Sequence, residues 1–262
     1  NSIRRVGDQI EDINTSHIYG AGIRILKENE EVYGYTNDIS EEGLLKLAKQ
    51  LNKAYHGPVL VSEIEFTDCK VEEHTKFKTL SKDIPNSKKL DYLEICTKTM
   101  QAYSPLIVQA LAHFADETQF VTIANSNGVY KSDVRNHQRV SANAVASDGK
   151  NMEQGFNSYG GNFDFSKFDT YDFVDFSTKV AQAAVETLTA DEMVGGVYDV
   201  VIHNAFGGVI FHEACGHALE ATSVAKNLSV FCGKLGEKIA ADCVTAIDDG
   251  TIPNEWGSEN ID

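Results

Sequence analysis

The chain has 262 residues, 42% of them apolar and 24% charged, with a mean hydropathy of −0.26, the profile of a folded globular protein rather than a disordered one. Its 23 basic and 39 acidic side chains leave a formal net charge of −16, which opposes non-specific nucleic-acid binding because phosphate contacts need clustered Lys and Arg. No apolar run approaches the ~18–20 residues of a membrane helix and no signal segment leads the chain. The five cysteines (Cys69, Cys96, Cys215, Cys232 and Cys243) are scattered and odd in number, so they suggest a reducing, cytoplasmic setting rather than a disulfide framework.

The chain begins at Asn1 rather than Met and stops at Asn260-Ile261-Asp262, which reads as a piece of a longer polypeptide. Its first forty residues alternate apolar and polar positions. Ile18 to Leu26 form one expected strand, Lys27-Glu28-Asn29-Glu30 a turn, and Val32 to Thr36 a second strand, as in a meander of hairpins. Ser40 is a candidate N-cap for a helix whose Leu44, Leu47, Ala48 and Leu51 recur at i, i+3, i+4 and i+7. A second helix follows Pro85, with Leu90, Leu93 and Thr97 on one stripe, and ends before Pro105.

From Leu106 to about Gly161 the period returns to two. Strands at Gln119–Ile123 and Arg139–Val145, with turns at Asn127-Gly128 and Asp148-Gly149, predict one antiparallel sheet. A third helix over about Asp172–Leu188 presents Phe173, Phe176, Val180, Ala184 and Val185 on one face. Antiparallel sheets with flanking helices give an α+β amino-terminal domain over residues 1–194. Gly195-Gly196 is the linker candidate before residues 195–262, where Val197–Ile202 reads as a short strand leading into the segment that carries chemistry.

That segment runs Phe211-His212-Glu213-Ala214-Cys215-Gly216-His217-Ala218-Leu219-Glu220. Chance places a His-acid-xxx-His pattern in a chain of this composition about 0.04 times. Zinc in a hydrolase takes neutral imidazoles and keeps a position open for water, and an adjacent carboxylate can serve as the general base. Two His five residues apart stand ~140° apart on an ideal helix, too far round for one ion. An irregular, π-type turn between His212 and His217 resolves the conflict, with Gly216 easing the distortion and Asn204 as a candidate N-cap. The same residues also admit a plain structural role, the histidines as core or surface groups and Glu213 as a solvated helix charge. His203 reads as a capping or packing residue, Glu220 as a solvent-facing charge within reach of a metal on His217, and Cys215 as a small buried side chain. Cys232 and Cys243 lack ligand spacing.

The motif resembles the zinc motif of the TldD/PmbA family of metalloproteases, in its motif-bearing TldD-like branch. The likeness extends to Asp199–Ile202, to Asn254-Glu255-Trp256-Gly257-Ser258, and to Tyr19–Ile25 with Gly34–Asp38 near the start. The resemblance implies that a second, mainly β metalloprotease domain opens at residue 195 and carries the irregular motif helix. It implies one zinc per catalytic subunit, with His212 and His217 as ligands, Glu213 as general base, and a third ligand, a cysteine in that family, beyond Asp262. It further implies hydrolysis of unfolded or extended peptides held by strand addition, and a homodimer or a heterodimer with a PmbA/TldE-like subunit. No nucleic acid or membrane is expected as a partner. The competing expectation is a non-catalytic binding protein, such as a DNA gyrase modulator, in which the His pair is structural.

Overall fold

The computed structural model describes residues 1–27, 30–58, 64–68 and 71–261. Cys69 and the tip of the expected turn, Glu28 and Asn29, lie outside the described residues. The chain divides into two compact units, one made of Asn1–His17, Val61–Glu192 and Asp248–Asp262, the other of Ile18–Leu60 and Met193–Ile247.

The first unit is built on a six-stranded sheet of β1 (Ser2–Val6), β2 (Gln9–Asn14), β5 (Thr67–Asp68), β6 (Ile107–Ala124), β7 (Val129–Ser147) and β8 (Met152–Asn162). The order is β2-β1-β6-β7-β5, with β8 also paired to β7, and every pairing is antiparallel except the short β5–β7 contact. The expected sheet over 106–161 is therefore present, but the short segments at 119–123 and 139–145 are parts of strands of 18 and 19 residues. The turn glycines do what that sheet requires. Gly128 and Gly149 have φ of +87° and +89°, angles open to glycine at little steric cost.

One face of this sheet carries an alanine ladder in which Ala110 lies opposite Ala144 and Ala112 opposite Ala142, continued by Phe114 opposite Val140. All six are fully buried. Small side chains let two helices, α2 (Asn86–Tyr103) and α3 (Phe173–Thr189), settle close to the strands. Leu93, Cys96 and Met100 come from α2 and Phe173, Phe176, Val180 and Ala184 from α3, joined by Phe163, Phe165 and Phe168 between β8 and α3. Each fully buried Leu, Val or Phe side chain contributes roughly 1.5–3 kcal/mol. Helix α3 begins as expected, with the Asp172 carboxylate accepting from the Asp175 N–H at 2.8 Å. Helix α2 ends at Tyr103, before Ser104 and Pro105. Its stripe holds one unexpected residue: Lys89, only 2% exposed, pairs with the equally buried Asp116 of β6 at 2.9 Å.

A strap formed by residues 248–261 lies on this sheet. The Asn162 side-chain amide donates to the Ser258 carbonyl at 2.8 Å, that of Asn260 donates to Asp133 at 2.9 Å, and the Arg139 guanidinium stacks 4.1 Å from the Trp256 ring centre.

In the second unit, β3 (Ala21–Lys27) and β4 (Glu30–Thr36) form a separate two-stranded sheet, so the expected meander is divided. The cause is non-local: β1 takes β6 as its second neighbour, with Ile3 opposite Phe114, and this buries its apolar face. Ile18, Tyr19 and Gly20 precede β3 rather than belonging to it. Helix α1 (Glu41–Tyr55) starts at Ser40, whose hydroxyl accepts from the Gly43 N–H at 3.1 Å, and its Leu47 and Leu51 close over Gly34 of β4. The strand expected at Val197–Ile202 is not formed. Those residues are irregular and exposed, Val197 and Val201 completely so, because among the described residues they have no ladder partner.

Candidate metal centre

The motif is reached through a short helix, α4 (Asn204–Phe211), which starts one residue earlier than an Asn204 cap would give. Its first helical hydrogen bond runs from the Gly207 N–H to the His203 carbonyl at 2.9 Å, so His203 stands at the helix start. Ile202 folds back against Gly207, where a Cβ would come within 2.9 Å of its methyl.

The helix then changes pitch twice. Residues His212–Gly216 form a π-turn, closed by the His217 N–H donating to the His212 carbonyl, and His217–Leu219 form a 3-10 turn, closed by Glu220 N–H to the His217 carbonyl. The irregular geometry expected from the five-residue spacing is thus present. A π-turn returns to the same face after five residues, and the two imidazole centres stand 4.3 Å apart, edge to face. One donor atom from each of His212, Glu213 and His217 lies within 4.8 Å of the others. Donors on a tetrahedral ion at ~2.1 Å stand roughly 3.4 Å apart, so modest side-chain rotation closes the set.

Gly216 makes this approach possible. A Cβ there would meet the His212 ring at 3.3 Å. Glu220 faces solvent, as expected, and its Oε1 also accepts from His217 Nδ1 at 2.8 Å. That bond outweighs the opposing effect of desolvation and, with the Glu213 and Glu220 charges, holds the His217 pKa above its ordinary value. Cys215 is half-buried, the Cys232 thiol bonds to the Val224 carbonyl at 3.4 Å, and Cys243 is exposed. Among the described residues none of the three joins the cluster.

Two imidazoles and a carboxylate suit a zinc-class ion, which favours nitrogen and oxygen donors of this kind. The residues present therefore fit the group that the motif implies, as a partial donor set open to solvent.

The chain matches the PmbA/TldA metallopeptidase family in three parts: domain 1 over residues 1–54, the central domain over 80–191, and the C-terminal domain over 195–262. It is 28% identical over 263 residues to a protein named metalloprotease from Methanothermobacter thermautotrophicus, covering 100% of this chain and 57% of that one. It is 24% identical to a metalloprotease TldD homolog from Buchnera aphidicola, over 100% of this chain and 54% of the relative. The chain thus spans about half the length of the curated relatives it matches. The fold is shared with a candidate DNA gyrase modulator from Bacteroides thetaiotaomicron (TM-score 0.74, 12% identity, 97% of this chain and 58% of that one). It is also shared with TldE from Thermococcus kodakarensis (TM-score 0.52, 16% identity, 89% and 53%). The chain belongs to the PmbA/TldD family of metallopeptidases.

Proposed function

We propose that this chain is part of a zinc-dependent peptidase subunit that hydrolyses peptide bonds in unfolded or extended peptides, with His212 and His217 as metal ligands and Glu213 as general base. The observation that carries the reading is the π-turn, which gathers two imidazoles and a carboxylate otherwise spread round a helix. A bound zinc ion supplies Lewis acidity, polarising the scissile carbonyl and making water a stronger acid. Glu213, next to the ligand His212, takes the proton of the attacking water at a carboxylate oxygen and delivers it to the departing amine nitrogen. All three side chains of the cluster are exposed, which suits access by a peptide. The third ligand belongs to sequence beyond Asp262.

The proposed division places an α+β amino-terminal part in residues 1–194 and the opening of the metallopeptidase domain in 195–262, supported by the family match that starts at residue 195. A homodimer, or a heterodimer with a PmbA/TldE-like subunit, is the proposed assembly, supported by the shared fold with TldE. A cytoplasmic location fits the four described cysteines, which are unpaired. The acidic surface disfavours nucleic acid, and no described helix is long and apolar enough to cross a membrane.

The test is Glu213→Gln in the full-length polypeptide, which carries the third ligand. Zinc content by elemental analysis and peptide binding are expected to persist while cleavage of an unfolded protein falls by at least ~100-fold. Cleavage at the original rate removes the mechanism. Absence of zinc from the unsubstituted protein favours a binding role with a structural His pair, as in a gyrase modulator.

A further inference from the structure

We infer that Glu220 is the positioning residue for His217, fixing which imidazole nitrogen faces the metal; the inference rests on the metal-site reading above. The geometry lies in the order of the two helical irregularities. The π-turn brings His217 beside His212, and the 3-10 turn that follows brings Glu220 beneath His217, because residues i and i+3 eclipse in a 3-10 turn but not in an α-helix. The outcome is a 2.8 Å contact between His217 Nδ1 and Glu220 Oε1. A carboxylate only accepts, so neutral His217 carries its proton on Nδ1 and presents the lone pair of Nε2. Carboxylate–imidazole–metal arrangements of this kind fix the tautomer and ring orientation and raise ligand basicity.

A role in folding does not account for the contact. Both side chains are more than half exposed, at 56% and 58%, where a His–carboxylate pair contributes little to stability. Nothing else among the described hydrogen bonds holds the His217 ring.

The experiment measures zinc affinity by chelator competition, and the His217 tautomer by nitrogen-15 NMR of the imidazole, on the full-length polypeptide that contains this chain and on three variants of it. Glu220→Ala is expected to weaken zinc binding by about 10–100-fold and to leave the metal-free His217 ring as a mixture of tautomers. Glu220→Gln, whose amide oxygen still accepts from Nδ1, is expected to restore affinity to within about 3-fold and to keep the Nδ1–H form. His217→Ala is the reference for loss of a ligand. Zinc binding by Glu220→Ala equal to that of the unsubstituted chain, with His217→Ala defective, overturns the positioning role alone. Failure of Glu220→Gln to restore affinity while the Nδ1–H form is kept means that the carboxylate charge, not the choice of nitrogen, sets affinity, and also overturns it. Equal binding by His217→Ala and the unsubstituted chain overturns the metal site itself, and the inference with it.

Discussion

Gly216 has ordinary right-handed helical angles, φ −55° and ψ −58°, so its lack of a side chain serves space rather than backbone freedom. The expectation that it eases distortion named the right residue for a different reason. The His212 imidazole lies 3.3 Å from where a Cβ would sit, closer than comfortable van der Waals contact. Gly216→Ala is expected to leave the π-turn intact, since Ala favours helical angles, while displacing the His212 ring by a few tenths of an ångström. Because donor sites need their side chains held within ~0.5 Å, zinc affinity should fall by about 3–30-fold with little change in melting temperature. Calorimetric titration with zinc and a thermal melt separate the two effects. Unchanged affinity would mean that the ring is free to move aside and that Gly216 is not required there.

At the scale of elements, the helices were legible because their determinants are local. Ser40 caps α1 as expected, α3 starts within a residue of the expected Asp172, and the apolar stripes of α1 and α3 face inward. The π-turn was legible for a different local reason, the conflict between a five-residue His spacing and a 100° step. Elements whose formation depends on a distant partner were not legible. The pairing of Ile3 with Phe114, the strap that Asn162 and Arg139 hold, and the exposed course of Val197–Ile202 are all decided by which strand or loop is at hand, and that information is not in the segment itself. The contact of α3 with β8 is of the same kind. Gly155 of β8 lies so close to α3 that an added Cβ would stand 2.0 Å from the Val180 carbonyl oxygen and 2.9 Å from the Ala184 nitrogen. Both are backbone atoms and cannot rotate away. Gly155→Ala should therefore push the whole helix off the sheet and cost about 1–3 kcal/mol or more, measured by urea denaturation. A loss under 0.5 kcal/mol would mean that α3 shifts without loosening the aromatic cluster beneath it.

At the scale of the whole molecule, the aromatic core of the first unit is tied down by carboxylates, which makes its stability depend on pH. The Asp164 carboxylate accepts from the backbone N–H groups of Thr79 and Ser166 at 2.7 and 3.0 Å and from that of Lys78, anchoring the turn that carries Phe165 and Phe168. Asp169, in the same turn, accepts from Lys88 at 2.6 Å and from the Tyr92 hydroxyl at 2.8 Å, joining the turn to α2. Burial alone would push the Asp164 carboxyl up, but the hydrogen bonds from Ser166, Thr79 and Lys78 outweigh it and leave its pKa below the ordinary value. Asp169 is held low first by Lys88 and then by Tyr92. Because the folded pKa of each is below that of the unfolded chain, about 3.9, the stabilisation is complete above roughly pH 5 and is lost as pH falls through the folded values. Replacing both by asparagine removes the charge at every pH. The Asp164→Asn/Asp169→Asn double variant should be less stable at pH 7 by on the order of 1 kcal/mol per site, after allowing for solvent screening. That gap should narrow as pH falls through the folded values, where the unsubstituted carboxylates take up protons as well. Urea midpoints followed by near-ultraviolet circular dichroism, which reports the packing of Tyr92 and its phenylalanine neighbours, measure the gap at each pH. A gap that stays constant from pH 7 to pH 2.5 would assign the loss to side-chain shape, and the acid sensitivity of the core would then have to come from other carboxylates.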